Sequence, residues 1–262
     1  MKKTHQCKII KKEQITEGVF RLVVERPQTK ENIKAGQFFN LQPGEGTYPL
    51  LRRPISVSMV SDETLEFVII EKGSGTKMIR SQRLIGETLD VLGPLGNGYE
   101  LDMPLKKVLV VGGGIGIAPQ RILTQALRDL EPEKITVIMG FKDKPYGLET
   151  YEALADEVLI ATESGSVGHK GFITEPLKNA LTNETYDMVF ACGPHPMLKT
   201  VNQVCHEQGT PVQLLMEERM ACGIGACLVC TCKVKDPNKD YKNVRTCKEG
   251  PVFYGEEVLF NA

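Results

Sequence analysis

The sequence contains no tryptophan, and its aromatic fraction is only 6%. Net charge is also nearly absent at −1, because 33 acidic residues balance 32 Lys and Arg residues, so no overall charge favours nucleic acid or an anionic membrane. No apolar run is long enough to span a bilayer, and charged residues at 11–13 interrupt the stretch where a signal peptide would lie. We therefore expect a cytoplasmic protein with no nucleic-acid partner and no membrane partner.

The 262 residues fall into three stretches of different character. Residues 1–102 hold short β-rich runs separated by glycine turns, a pattern typical of an antiparallel barrel or sandwich. Residues 103–215 alternate apolar runs with helical periodicity, which predicts a parallel sheet of about five strands with helices on both faces. Residues 216–262 lose this periodicity, and we expect the polar segment 233–242 to be an exposed loop. The predicted fold class is multidomain α+β, with an N-terminal antiparallel β-barrel, a parallel α/β nucleotide-binding domain and a small C-terminal cluster module.

Cysteine is concentrated in the third stretch. Of the eight cysteines, five lie there: Cys222, Cys227, Cys230, Cys232 and Cys247. In a reducing compartment this crowding indicates a metal or redox cluster rather than a disulfide framework. The spacing C-x4-C-x2-C over residues 222–230 is that of plant-type 2Fe-2S proteins. Gly223 and Gly225 lie within it, and they let the backbone approach a cluster closely.

A 2Fe-2S cluster needs a fourth thiolate from elsewhere in the chain. Spacing alone does not choose between Cys232 and Cys247, and we favour Cys247 because a remote segment can close the far side of the cluster. Structural zinc also takes four thiolates and is the alternative, although zinc sites more often show two short cysteine pairs.

A glycine-rich loop over residues 112–119 follows a predicted buried strand and opens a helix. That context suits a phosphate at a helix N-terminus. The loop departs from the standard dinucleotide fingerprint, because Pro119 replaces the last Gly and no acidic residue follows about twenty positions on. A tight turn without a ligand is the alternative. A later strand ends in Cys192-Gly193-Pro194 at the same predicted sheet edge, where Cys192 either lines a nicotinamide pocket or is simply a buried thiol.

A third motif, Arg53-Pro54-Ile55-Ser56, resembles the R-x-x-S flavin motif of the ferredoxin–NADP reductase superfamily. The G-G-G-x-G-x-x-P sequence at 112–119 and the C-G-P sequence at 192–194 match that superfamily in the expected order. With the C-terminal cysteine spacing added, the whole chain closely resembles the electron-transfer subunits of class 1B dihydroorotate dehydrogenase. The resemblance implies an FAD-binding barrel at 1–102, an NAD-binding domain at 103–215 and a 2Fe-2S module at 216–262.

The resemblance also implies roles for individual residues. Arg53 should bind an FAD phosphate, and Ser56 and Cys192 should act at the reacting flavin and nicotinamide rings. Ile55 stands where many relatives place a tyrosine over the flavin. The implied FAD-binding set is Arg53, Pro54, Ile55, Ser56, Ile70, Glu71, Lys72, Gly75 and Thr76. The implied NAD-binding set is Gly113, Gly114, Gly116, Pro119, Cys192, Gly193 and Pro194. The implied cluster ligands, which leave Cys232 free, are Cys222, Cys227, Cys230 and Cys247.

The function implied by the resemblance is an electron relay in pyrimidine biosynthesis. A partner catalytic subunit containing FMN oxidises dihydroorotate, and electrons pass through the 2Fe-2S cluster and FAD to NAD+. Flavin stands between the other two because hydride carries two electrons, an iron–sulfur cluster carries one, and flavin handles both. The resemblance further implies a heterotetramer and NAD rather than NADP. The alternatives are a flavin/iron–sulfur subunit of a sulfide dehydrogenase or bifurcating transhydrogenase, or a zinc-stapled nucleotide-binding module.

Overall fold

The computed structural model describes residues 3–29, 32–46 and 48–260. The expected domain limits at residues 1 and 262 lie outside these ranges. Within them, no helix is both long and apolar enough to cross a membrane.

The first sheet is antiparallel and has seven strands in the order β4-β3-β7-β1-β2-β6-β5. Strand β4, at one edge, contacts β6 near the other edge, so the sheet curls into the expected barrel. Helix α1, Ser74–Gln82, connects β6 to β7. The strands are β1 Thr4–Thr16, β2 Val19–Glu25, β3 Phe38–Leu41, β4 Arg53–Ser56, β5 Met59–Val60, β6 Thr64–Ile70 and β7 Thr88–Leu95.

Strand β3 has two buried faces, and this is what places the site. Side chains alternate along a strand, so Phe39 and Leu41 share one face while Phe38 and Asn40 share the other. Phe39 packs edge-on against Phe67 in the barrel core, with ring centroids 6.0 Å apart. On the opposite face, Phe38 packs against residues of the third stretch. The outer face of the barrel wall is therefore the surface on which the cysteine-rich segment packs.

The second sheet has the order β11-β10-β9-β8-β12-β13-β16. Five of its strands, β8, β9, β10, β12 and β13, are parallel neighbours, as the apolar runs predicted. These strands are β8 Lys107–Gly113, β9 Lys134–Phe141, β10 Glu157–Thr162, β12 Met188–Cys192 and β13 Val212–Leu215, with the short strands β11 His169–Lys170 and β16 Val252–Tyr254 at the edges. The helices are α2 Gln120–Arg128, α3 Leu148–Glu152, α4 Thr174–Asn183 and α5 His195–Glu207.

The helices cover both faces of this sheet, because α2 and α3 bury their apolar side in one core cluster while α4 and α5 bury theirs in another. Chain connectivity reverses between β8 and β12, which are hydrogen-bonded neighbours. Ligands of open α/β sheets bind outside the carboxyl ends of the strands at such a reversal.

The expected loop at 233–242 was wrong. Strands β14, Thr231–Asp236, and β15, Lys239–Arg245, form an antiparallel hairpin there. Cys232 and Val234 alternate with charged residues and are buried, so the hairpin has one apolar face that its lysines and aspartates obscure in the sequence. After the hairpin, β16 pairs antiparallel with β13, so the third stretch returns to the second sheet.

Candidate functional site

The glycine loop and the Cys192-Gly193-Pro194 turn are in direct contact at the carboxyl edge of the second sheet. A methyl group on Gly116 would lie 2.4 Å from the main-chain carbonyl oxygen of Cys192. Methyl groups on Gly113 and Gly193 would lie 2.2 and 2.8 Å from the Met197 sulfur. Only glycine permits the approach at Gly116, because the atom that a side chain would meet there is main chain. The structure thus brings together the two segments expected to bind the dinucleotide.

The loop itself is a tight turn rather than a direct start of the long helix. Residues Gly114–Ile117 form a short 3-10 helix, and α2 begins at Gln120 after Pro119. Gly114 has a φ of +54°, and a methyl group there would meet nothing within 4 Å. A glycine at positive φ facing open space leaves the loop backbone accessible to a phosphate group.

Gln120 is a site residue that the sequence motifs did not reveal. Its side chain is completely buried, and its Nε2 donates hydrogen bonds to the carbonyls of Val111 (3.2 Å) and Phe190 (3.4 Å). The Tyr99 hydroxyl donates to Gln120 Oε1 over 3.4 Å, and burial raises the pKa of Tyr99 well above its ordinary value. The amide ties β8 to β12 beneath the expected dinucleotide site.

Cys192 ends β12 and is buried. Burial, and then the charge of Glu217, raise the pKa of the Cys192 thiol far above its ordinary value. The side chain is therefore a neutral thiol at physiological pH and not a nucleophile. It suits the wall of a nicotinamide pocket, where an uncharged group is needed.

Asp143 supplies a carboxylate near the glycine loop that the expected motif spacing did not locate. It follows β9, the strand next to β8, and accepts a 2.7 Å hydrogen bond from the Ser164 hydroxyl. This bond, and then one from Ser166, lower the pKa of Asp143. A carboxylate at the end of the second strand suits the ribose hydroxyls of NAD.

Arg53 and helix α1 form an anion cradle on the barrel. A methyl group on Gly75 would lie 2.2 Å from Arg53 Nε, so the guanidinium rests directly on the first turn of α1. No acidic residue occupies that turn. A guanidinium beside free helix N–H groups is suited to a phosphate. These residues fit the pyrophosphate of FAD.

The other residues of the expected flavin set differ in how accessible they are. Ile70 is 43% exposed, and Ser56 is half-buried on β4. Ile55 packs against the barrel core. The carboxylate of Glu71 is paired with Arg80.

Two further residues of this set lie at the start of α1, Lys72 just before the helix and Thr76 in its first turn. The Thr76 hydroxyl accepts hydrogen bonds from the N–H groups of Lys72 (3.1 Å) and Gly73 (3.3 Å). Thr76 therefore holds its own turn in shape, and Lys72 extends from it as an exposed cation.

The four expected cluster cysteines meet in two pairs. Against the effect of burial, the Cys227 thiol lowers the pKa of Cys222, and the Cys230 thiol adds to the rise that burial causes in the pKa of Cys247, so the members of each pair lie close together. The Ala226 N–H lies 3.3 Å from Cys222 Sγ, and the Cys247 N–H lies 3.5 Å from Cys230 Sγ. Two pairs suit a cluster of two irons, each of which takes two of the four protein thiolates.

Main-chain N–H groups favour the thiolate form of Cys222. Burial raises the pKa of Cys222, but the N–H groups of Ile224, Cys227 and Ala226, together with the Cys227 thiol, outweigh it and lower the pKa to about 6. Gly223 and Gly225 have φ of +71° and +82°, which L side chains rarely adopt. The loop at 222–230, termed the cluster loop below, thus wraps its amides around the sulfurs.

Cys232 lies apart from these pairs. It is buried in the core cluster beneath the hairpin, and burial raises the pKa of its thiol. Cys247 instead packs with Cys230 and Phe38. Among the residues that the structure describes, no three Cys, His, Asp or Glu side chains converge as a single metal ion would require.

Three features define the class of this protein: an antiparallel barrel with an anion cradle, a parallel sheet with a dinucleotide edge, and a four-cysteine segment packed on the barrel. They are the features of an FAD-dependent reductase of the ferredoxin–NADP reductase type with a fused iron–sulfur segment. Comparison with solved structures agrees. The structure of the NADH-dependent reduced ferredoxin-NADP oxidoreductase superposes with a TM-score of 0.86 at 30% identity, covering 100% of this chain and 92% of that one. A ferredoxin reductase of carbazole 1,9a-dioxygenase superposes at 0.68 with 20% identity over 81% of this chain and 69% of that one, which shows the fold alone.

Sequence comparisons identify the family within this class. Residues 217–259 match the family model of the iron–sulfur cluster binding domain of dihydroorotate dehydrogenase B. The electron transfer subunit of dihydroorotate dehydrogenase B (NAD(+)) from Clostridium perfringens is 41% identical over 248 residues, 94% of each chain. That of Bacillus pumilus is 38% identical over 269 residues and covers 100% of both chains. The chain belongs to this family of electron transfer subunits.

Family membership confirms three expectations from the sequence. The protein is an oxidoreductase subunit, its fold is the expected barrel, α/β domain and iron–sulfur segment, and its cofactors are FAD, a 2Fe-2S cluster and NAD. The cradle at Arg53, the glycine contacts at Gly116 and the paired thiols are the features of this chain that fit those groups.

Proposed function

We propose that this chain takes electrons released by dihydroorotate oxidation in a partner catalytic subunit and delivers them to NAD+. The partner carries FMN, and the complex contains two copies of each subunit. The reaction belongs to pyrimidine biosynthesis. Support comes from the family to which the chain belongs and from one structural observation, the shared use of strand β3.

Strand β3 contacts both the cluster cysteines and the strand that carries the flavin motif. Phe38 packs against Cys230 and Cys247 on the face of β3 opposite the barrel core. In the neighbouring strand, Ser56 pairs directly with Phe38, and Pro54 pairs with Asn40. Paired residues of neighbouring strands share one face of a sheet, so Ser56 and Pro54 lie on the face of the barrel wall against which the cysteines pack. That adjacency is what a relay between a cluster and a flavin requires.

Bound FAD would exchange an electron pair with NAD as hydride and single electrons with the cluster. The side chains supply position and charge around these groups. We assign phosphate binding to Arg53 and the first turn of α1, and nicotinamide orientation to the contact between Gly116 and Cys192. Cys192, as a neutral thiol, adds no charge beside a ring that gains or loses hydride. Ser56 is assigned a hydrogen bond at the reactive edge of the flavin.

The surface proposed to meet the catalytic subunit is the docking patch, formed by Ile224, Leu228 and Val229 on the cluster loop. These side chains are 51%, 62% and 51% exposed. Leu228 also has a φ of +60°, a conformation that costs a residue with a Cβ about 1–2 kcal/mol. An exposed apolar side chain held in a strained conformation, beside groups that must pass electrons outward, is typical of an interface.

The function is tested with the anaerobically purified pair of subunits, by following NADH formation from dihydroorotate. NADH should form only when both subunits are present. Leu228→Asp should keep iron, sulfide and FAD but fail to co-purify with the catalytic subunit. The matched control is Leu130→Asp, which alters a comparably exposed leucine after α2 and should assemble normally. NADH formation without this chain would refute the function, and normal assembly of Leu228→Asp would refute the docking patch.

A further inference from the structure

Asn40 is a buried amide that joins the barrel to the cluster loop. Its side chain is 0% exposed, and its Nδ2 donates a hydrogen bond to the main-chain carbonyl of Cys222 over 3.4 Å. A methyl group on Gly223, the next residue, would lie 2.1 Å from the same Nδ2. The loop backbone therefore lies directly on the amide, and only a glycine fits there.

The same residue is tied to the flavin motif. Asn40 pairs with Pro54 across β3 and β4, one position from Arg53. The Arg52 guanidinium reaches the Asn40 carbonyl oxygen (3.5 Å) while it pairs with Asp90 at 2.8 Å. Asn40 thus has its main chain in the flavin-binding wall and its side chain on a proposed cluster ligand.

Strand β3 in this way contacts both thiol pairs. Phe38 packs against Cys230 and Cys247, and Asn40 holds the carbonyl of Cys222. On this face the second pair packs against the Phe38 ring, whereas the first receives a directional bond. Arg245 also holds the loop, through the Gly225 carbonyl at 2.8 Å, but it belongs to the hairpin and not to the barrel.

Asn40 is poorly explained by stability alone. Its Oδ1 is buried and, among the described residues, has no hydrogen-bond partner. A buried amide oxygen without a partner destabilises a fold, and an aliphatic side chain of similar size would avoid this penalty. The amide is therefore expected to serve the site.

We propose that Asn40 is a positioning residue that fixes the Cys222 side of the 2Fe-2S cluster against the flavin-binding strand. The donated hydrogen bond sets where the first thiol pair sits, and it places an amide dipole beside that pair. Both the reduction potential of the cluster and the rate of its electron exchange with FAD then depend on this one side chain. The inference rests on the proposed function for its reaction partners, but not on the identity of the catalytic subunit's substrate.

The test compares Asn40→Leu and Asn40→Asp with wild type in the assembled complex. Reduction by NADH is followed at two places, as flavin bleaching in the visible spectrum and as the electron paramagnetic resonance signal of the reduced cluster. In Asn40→Leu, NADH should bleach the flavin at the wild-type rate, but the electron paramagnetic resonance signal of the cluster should change. Its cluster should also be lost to a chelator about tenfold faster, which corresponds to the roughly 1.4 kcal/mol of one buried hydrogen bond.

Asn40→Asp keeps the shape of the side chain and adds a carboxylate beside the first thiol pair. Burial raises the pKa of a carboxyl at this position, so the potential is measured at a pH where the carboxyl is ionised, and its negative charge should then shift the cluster midpoint potential to a more negative value. This variant keeps the proposal falsifiable if Asn40→Leu does not fold. The matched control is Asn202→Leu, because Asn202 likewise donates to a carbonyl of the third stretch, that of Gly255 at 3.0 Å, and lies on α5, outside the cluster loop.

The control should retain the wild-type cluster signal and potential. An unchanged signal and potential in both Asn40 variants would overturn the proposal, and so would an equal change in Asn202→Leu. Failure of the proposed function looks different. In that case the wild-type complex would form no NADH from dihydroorotate, whereas NADH would still reduce the cluster and the Asn40 variants would still alter it.

Discussion

Substitution of Gly75 by alanine tests whether the cradle between Arg53 and α1 binds the FAD pyrophosphate. The new methyl group would lie 2.2 Å from Arg53 Nε, so the guanidinium must move. Arg53 is a long side chain that reaches Gly75 with its flexible end, and the fold can absorb this movement. FAD binding should be weakened, however, because the displaced guanidinium no longer meets the phosphate.

The size of the effect follows from the bond that is lost. A hydrogen bond to a charged group contributes about 1.5–3 kcal/mol, and each ~1.4 kcal/mol changes affinity tenfold. Gly75→Ala should therefore weaken FAD binding by about 10- to 100-fold. Thermal stability of the flavin-free protein should change by no more than ~4 °C, the shift that about 1 kcal/mol produces in a chain of this size.

The assay is a fluorescence titration of the flavin-free protein with FAD, with thermal unfolding measured in parallel. Gly73→Ala is the matched control, because Gly73 lies in the same turn, has an extended φ of −151°, and has nothing within 4 Å of an added methyl group. It should bind FAD as the wild type does. Unchanged affinity in Gly75→Ala, or an equal loss in Gly73→Ala, would refute the assignment of this cradle to FAD.

Three further predictions concern the other parts of the molecule. Cys247→Ser should lose the cluster, whereas Cys232→Ser should keep it, as measured by iron and sulfide content. Gly116→Ala should raise the KM for NADH about tenfold with unchanged FAD content, because a methyl group 2.4 Å from the Cys192 carbonyl forces two backbones apart at a cost of about 1–3 kcal/mol. Glu184→Gln should destabilise the protein at pH 6 and not at pH 2, measured by thermal unfolding. Hydrogen bonds from lysines lower the pKa of Glu184 to about 2, so its ion pairs stabilise the fold above the ordinary pKa of 4.5 and are lost as pH falls from about 4.5 to about 2.

Each of these predictions has a result that contradicts it. Retention of iron by Cys247→Ser, with loss in Cys232→Ser, would assign the fourth thiolate to the hairpin. An unchanged KM in Gly116→Ala would separate the glycine loop from nicotinamide binding. A stability difference for Glu184→Gln that persisted at pH 2 would show that the side chain acts through packing and not through its charge.

The central parallel strands β8, β9 and β12 were predictable because they are buried on both faces and read as largely apolar runs, as residues 108–111 do. The cluster loop was also predictable from the cysteine spacing, because a loop that wraps a cluster has its ligands close together in sequence. The hairpin β14–β15 was not, because its solvent face carries so many charges that the alternation of Cys232 and Val234 is hidden. Helix α1 was missed for a related reason, since Gly73, Ser74 and Gly75 read as a turn.

Residues that act over long sequence distances were beyond a motif search. Asn40 lies in an otherwise apolar strand, and its partner Cys222 is 182 positions away. Gln120 lies in a helix and contacts carbonyls of two strands. Neither has a local pattern, and a buried amide is recognisable only when the fold shows what surrounds it. Their one sequence signal is a polar residue at a position where the periodicity expects an apolar one.

The return of the third stretch to both sheets has a consequence for how the protein is made. Residues 252–254 complete the edge of the second sheet at β13. Asn97, at the end of the barrel, donates from its main-chain N–H to the Gly250 carbonyl (2.7 Å) and from its side-chain Nδ2 to the Glu249 carbonyl (3.0 Å). All these partners leave the ribosome before residues 249–254 do. Translation that stops short of these residues would leave β13 as an open edge, prone to aggregation.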